Sequence, residues 1–226
     1  MDKIKEYARN KITNIGGALP LILEYNLQIL PESILSGVII LAIVLVSQPL
    51  IALAAGALIT HMLTGVVGKL LMKYMQGNAE LTATKCAEIC NPGFAGKAWA
   101  RLLNGGVDPE LLWHPIAPSV YLAMIGYFVG VGWGLCLLYK EEIDANVVRA
   151  PSLIATGVIS GILLLMAIVF RIYRGCDSAF GAFGGTMMGL LFGYLGTVTL
   201  GYVTNKRATN IWGIPLIRER CAMAFA

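Results

Sequence analysis

The chain has 226 residues, 57% of them hydrophobic and 13% charged, and its mean hydropathy is +0.73. Soluble domains average about 25% charged residues, so the composition excludes an ordinary water-soluble domain and points to a membrane bundle. The net charge of +4 is too small and too dispersed for a nucleic-acid partner, and the length suits one bundle domain.

In chain order, residues 1–33 read as an interfacial segment. From Met1 to Ile15 the apolar residues Ile4, Ala8, Ile12 and Ile15 share one helical face, while Lys3, Glu6, Asn10 and Thr13 lie elsewhere. That pattern predicts an amphipathic helix in the headgroup layer. A mitochondrial presequence is the rival reading, opposed by Asp2 and Glu6, because presequences are poor in acids. Residues 18–30, between Pro20 and Pro31, carry Glu24, Asn26 and Gln28 and read as interfacial.

Residues 34–203 read as the transmembrane bundle. The apolar block from Ile34 to Met72 is twice the length that a bilayer of ~30 Å requires. Ser47-Gln48-Pro49 breaks it, because proline removes a helix donor. Two antiparallel spans result, near 34–47 and 50–72, the first of them short. Residues 73–115 form a polar loop with breakers at Asn91-Pro92-Gly93 and Gly105-Gly106, and with Trp99 and Trp113 suited to the interface. Further spans are predicted near 118–139, with a stripe of Gly126, Gly130 and Gly134, and near 151–170, with Gly157 and Gly161. A short acidic loop, 140–149, separates them.

The last span, 178–203, is uncharged and repeats glycine at every fourth position: Gly181, Gly185, Gly189 and Gly193, with Thr197 and Gly201 in the same register. Positions four apart stack along one helix face. In water an interior glycine costs a helix roughly 1 kcal/mol relative to alanine, but in a bilayer a small-xxx-small ladder lets a second helix approach closely. The ladder is predicted to pack inward against the spans at 118–139 and 151–170. Residues 204–226 form a basic and aromatic tail with Lys206, Arg207, Arg218, Arg220 and Trp212, fit for ordinary membrane flanking or for an anionic lipid surface. The tail places its own side in the cytoplasm by the positive-inside rule, whereas Arg171 and Arg174 favour the opposite side.

Five cysteines (Cys86, Cys90, Cys136, Cys176, Cys221) make no disulfide framework by count and favour a reducing environment, and no cluster completes a metal site. No cofactor is implied. His61, mid-span beside Thr60 and Thr64, reads as a neutral imidazole bonded to a neighbouring helix, with a functional role as the rival. His114 before Pro115 reads as an interfacial histidine. Lys69 and Lys73 read as snorkelling cations.

The polar knot Arg171-Ile-Tyr-Arg174-Gly175-Cys176-Asp177 precedes the ladder. Its spacing resembles the third signature of the type 2 phosphatidic acid phosphatase superfamily: an arginine, a glycine four residues later, a nucleophilic histidine six later and an aspartate ten later. Arg171, Gly175, Gly185 and Gly189 fall on matching places. Pro118-Ser119-Val120-Tyr121 sits where the second signature, Pro-Ser-Gly-His, opens a span. The layout over 34–203 is similar to members from large DNA viruses.

The resemblance implies a helical membrane bundle, and it also implies that the chemistry is gone. Asp177 stands at the nucleophile's place, Gly181 at the carboxylate's and Tyr121 at the acid histidine's, and no Arg-Pro is present. A histidine nucleophile and a second histidine acid are what that mechanism requires. No catalytic residue is therefore assigned; His114 is the one residue that could supply the acid from a shifted position, and an active or lipid-binding phosphatidate phosphatase-like enzyme is the alternative function.

Arg171, Arg174, Ser119 and Asp177 remain as a phosphate- or lipid-binding remnant, since guanidinium matches phosphate oxygens. Alternatively, the arginines simply pair with Asp177. The expected role is a structural component of a membrane assembly, with membrane lipids and other proteins as partners docked on 1–33, 73–115 and 204–226. A virion internal membrane follows from the resemblance. An accessory subunit of a mitochondrial or other organellar inner membrane fits equally, and Gly184-Gly185-xxx-Gly189 loosely resembles the mitochondrial inner-membrane translocases.

Overall fold

The computed structural model describes residues 33–75, 118–144 and 150–211, together with 26, 30 and 31. The amphipathic segment at 1–15, most of the 73–115 loop with His114, and Trp212 with the rest of the tail lie outside the described residues. All regular structure among those described is helical: α1 (Ser33–Leu45), α2 (Gln48–Met75), α3 (Val120–Leu138), α4 (Lys140–Asp144), α5 (Ala150–Tyr173), α6 (Ala179–Val203) and a 3-10 turn (Arg207–Thr209). Four of them, α2, α3, α5 and α6, are long and apolar enough to cross a membrane. The predicted first span is the exception. At 13 residues, α1 extends only about 20 Å at ~1.5 Å per residue.

The chain reverses between α1 and α2 where the sequence predicts a break. Pro49 takes the second position of α2, where a missing amide costs nothing. The end of α1 is closed by Val46 N–H donating to the Ile43 carbonyl and Ser47 N–H to the Ala42 carbonyl, with Val46 at φ +46°. That is a Schellman cap carrying a β-branched residue at its left-handed position.

α3 is the axis of the bundle. Most of its residues are buried, whereas α5 is mostly exposed. α2 runs antiparallel to α3, with the Tyr127 hydroxyl donating to the Leu53 carbonyl at 3.2 Å. α5 packs on another face of α3 through Leu164 and Ala167.

α6 runs parallel to α3, and here the glycine ladder does its work. A Cβ on Gly185, Gly189 or Gly193 would strike the backbone of Ser119, Ala123 or Tyr127 respectively, and Gly126, Gly130 and Gly134 face α6 in return. Two stripes of four-residue period thus interlock along the whole contact, and Gly201 ends it against Leu138. Gly185, Gly189 and Gly193 meet the backbone of α3, Ala182 of α6 shares a buried cluster with Leu164 and Ala167 of α5, and Gly157 and Gly161 of α5 meet nothing within 4 Å.

The outward faces are as apolar as the core. Ile59, Val66, Ile159, Leu165, Val169, Phe183 and Leu195 are all exposed. A water-soluble monomer rarely exposes so continuous an apolar belt, and helices apolar all round with exposed faces suit hydrocarbon. Exposed tyrosines mark both rims: Tyr74 and Tyr173 at one, Tyr202 at the other, as aromatic belts do.

Candidate functional site

The polar knot is built by the end of α5. Gly175, at φ +69°, takes the left-handed position of a second Schellman cap: its amide donates to the Ile172 carbonyl and the Cys176 amide to the Arg171 carbonyl. Glycine is the residue that reaches this conformation without steric cost. The cap reverses the chain and brings Asp177 back beside Arg171. Ser178 then caps α6, accepting from the Gly181 amide at 2.9 Å, as serine does at an N-cap.

A second N-terminus meets this turn. Ser119 caps α3, its Oγ accepting from the Leu122 amide at 3.3 Å and donating to Asp177 Oδ2 at 2.7 Å. The same Oδ2 receives Arg171 Nε at 2.5 Å. One carboxylate oxygen therefore joins α3, the end of α5 and the start of α6. Two helix N-termini converge on it, each favouring negative charge nearby. Arg171 is buried, and the Asp177 side chain nearly so. The Arg171 guanidinium lies 4.6 Å from the centroid of the Tyr121 ring, a cation–π contact that shares in stabilising a desolvated cation.

Of the sequence candidates, the fold brings together Arg171, Asp177 and Ser119 and leaves Arg174 apart. Arg174 lies over Phe170, 5.9 Å from the ring centroid. Tyr121, read from sequence only as a replacement for a histidine, is the platform under Arg171. Cys176 in the same turn is disulfide-bonded. Cys136 is free. His61 does not make the expected bond through Nδ1, which is buried without a hydrogen-bond partner among the described residues. The described residues hold no cluster of three metal-ligating side chains.

One polar cluster at the opposite rim escaped the sequence. Tyr139 is almost fully buried, its hydroxyl donating to the Lys206 carbonyl at 2.7 Å and lying 3.2 Å from Thr209 Oγ1. Lys206 Nζ sits 5.3 Å from the centroid of that ring. This clasp fixes the start of the tail against the end of α3. A tyrosine after a span reads in sequence as a belt residue, and the only local hint was Asn205, a residue that tolerates the left-handed conformation it adopts here at φ +50°.

Chemically, the knot is an ion pair between Arg171 Nε and Asp177 Oδ2. The acidic oxygen that would have to attack an electrophile already accepts from a guanidinium and a hydroxyl, and no described histidine adjoins it to move a proton. No family model, curated protein or solved structure matches the chain.

Proposed function

We propose that this protein is a non-catalytic, structural component of a membrane assembly, with a bundle related to the type 2 phosphatidic acid phosphatases but stripped of their chemistry. The observation that carries the reading is Asp177. Its carboxylate bonds Arg171 and Ser119, two of the four residues read above as a phosphate- or lipid-binding remnant, so an internal anion takes the place of an external one. A pair of this kind orders three helix ends.

The interlocked α3–α6 pair supports a rigid scaffold, and α5 supports lateral association. Only a narrow strip of α5 faces α3, leaving Val158, Ile162, Leu165 and Val169 outward beside the open Gly157 and Gly161. Small residues on such a face permit close approach of another span. The internal membrane of a large DNA virus, or a protein complex of an organellar inner membrane, is the setting we propose.

The test is photo-crosslinking in the native membrane from a probe at Val158 or Leu165. The reading expects defined adducts to other membrane proteins. Adducts to lipid alone, from a chain that purifies by itself, would overturn it.

A further inference from the structure

At the rim opposite Asp177, a groove of about 430 Å³ runs between α2 and α6 over a floor formed by Tyr127, Val131 and Leu135 of α3. Ligand clefts occupy about 300–1,000 Å³. Along α2 the groove extends from Pro49 to Thr60, about 16 Å at ~1.5 Å per residue. That is one leaflet of a hydrocarbon core of ~30 Å.

The walls of the groove are apolar, and three of the four polar side chains that line it, those other than Thr197, bond inward. Thr60 Oγ1 donates to the Gly56 carbonyl, the Tyr127 hydroxyl to the Leu53 carbonyl and Thr209 Oγ1 to the Lys206 carbonyl. Ile59 and Phe192, both exposed, flank the groove. Gly196 of α6 lines it, and a Cβ there would meet nothing within 4 Å.

The chain carries a cation next to the residues at the groove's mouth. Ala208 and Thr209 line its rim end, and the residue before them, Arg207, is exposed and makes no ion pair among the described residues. Lys206 precedes Arg207 in the same turn. A cation at the headgroup level above a leaflet-deep hydrocarbon slot is complementary to one class of molecule.

We propose that this groove holds one acyl chain of an anionic phospholipid whose headgroup phosphate pairs with Arg207. The site is separate from the Asp177 knot and does not depend on the structural role proposed above. Juxtamembrane cations attract anionic lipid by about 1 kcal/mol each, and a guanidinium can take two phosphate oxygens at once.

The test is native mass spectrometry of the full-length protein from nanodiscs containing equal amounts of palmitoyl-oleoyl phosphatidylglycerol and the matching phosphatidylcholine. The wild type should retain a single phosphatidylglycerol in preference to phosphatidylcholine. Gly196→Phe, which fills the slot from an open position, should lower retention of both lipids about tenfold, equivalent to ~1.4 kcal/mol. Arg207→Gln should keep the chain but remove the preference between headgroups.

Gly161→Phe, an equal enlargement on the open face of α5, should leave retention as in wild type. Should Gly196→Phe fail to give a monodisperse protein, Gly196→Leu serves in its place. Retention unchanged by filling Gly196, or lowered equally by Gly161→Phe, would overturn the groove as the site. Equal retention of the two lipids by wild type would overturn the headgroup assignment.

Discussion

The amide of Ser119 donates to the carbonyl of Gly181 across 2.9 Å, so the N-cap of α3 is hydrogen-bonded into the first turn of α6. Interhelical backbone bonds of this kind need a residue without a side chain at the crossing, and Gly185, one turn on, lies directly against the Ser119 backbone. The ladder and the polar knot are therefore one construction. Close approach of α3 and α6 sets Ser119 beside Asp177, and the carboxylate then ties in Arg171.

The ladder glycines and the open glycines of α5 should respond oppositely to enlargement. Gly185→Leu and Gly189→Leu place carbons where backbone now lies and should abolish a monodisperse peak in detergent. Gly157→Leu and Gly161→Leu meet no neighbour within 4 Å and should elute as wild type. Normal behaviour of the ladder variants would refute the parallel packing.

The Arg171–Asp177 pair should behave as a buried ion pair. Asp177→Leu or Arg171→Met alone leaves an uncompensated charge and should cost about 3–5 kcal/mol, whereas removing both charges is often close to neutral. Thermal unfolding in a mild detergent of Arg171→Met, Asp177→Leu and the double variant checks this. A double variant as unstable as the sum of the two singles would mean that the pair is not the contact that matters.

Val46 pays a steric cost that glycine would not. A non-glycine residue in the left-handed region costs roughly 1–2 kcal/mol, and glycine gives back part of that as unfolded-chain entropy. Val46→Gly should raise stability by up to about 1 kcal/mol, read as a higher midpoint of thermal unfolding. A lower midpoint would show that the Val46 side chain contributes packing that outweighs its backbone strain.

Much of this fold was legible in the sequence, and the rest was not for identifiable reasons. The break at Ser47-Gln48-Pro49, the four long spans and the inward ladder followed from hydropathy, proline and four-residue spacing. Which glycines interlock did not. The glycines of 118–139 and of 151–170 look alike along the chain, and only the parallel alignment of α3 with α6 separates the interlocked set from Gly157 and Gly161.

At the site, Gly175 between Arg171 and Asp177 signalled a tight return, because glycine supplies the left-handed residue such a cap needs. Ser119 was singled out by resemblance, yet its bond to Asp177 spans 58 residues and had no local signature. The groove was invisible for the same reason. Gly56 reads as one more small residue until the Tyr127 hydroxyl is found against it, and Gly196 lies outside the ladder's register. Val46 was unreadable in principle, since valine is among the least expected residues at positive φ.

The central claim, that Asp177 closes a structural ion pair and is not part of an active site, is tested most directly by phosphate release. Purified full-length protein in vesicles containing phosphatidic acid, lysophosphatidic acid or diacylglycerol pyrophosphate should release no inorganic phosphate above a protein-free control. Release that is present in wild type and lost in Asp177→Asn, with the variant still monodisperse, would contradict the account and establish the knot as an active site.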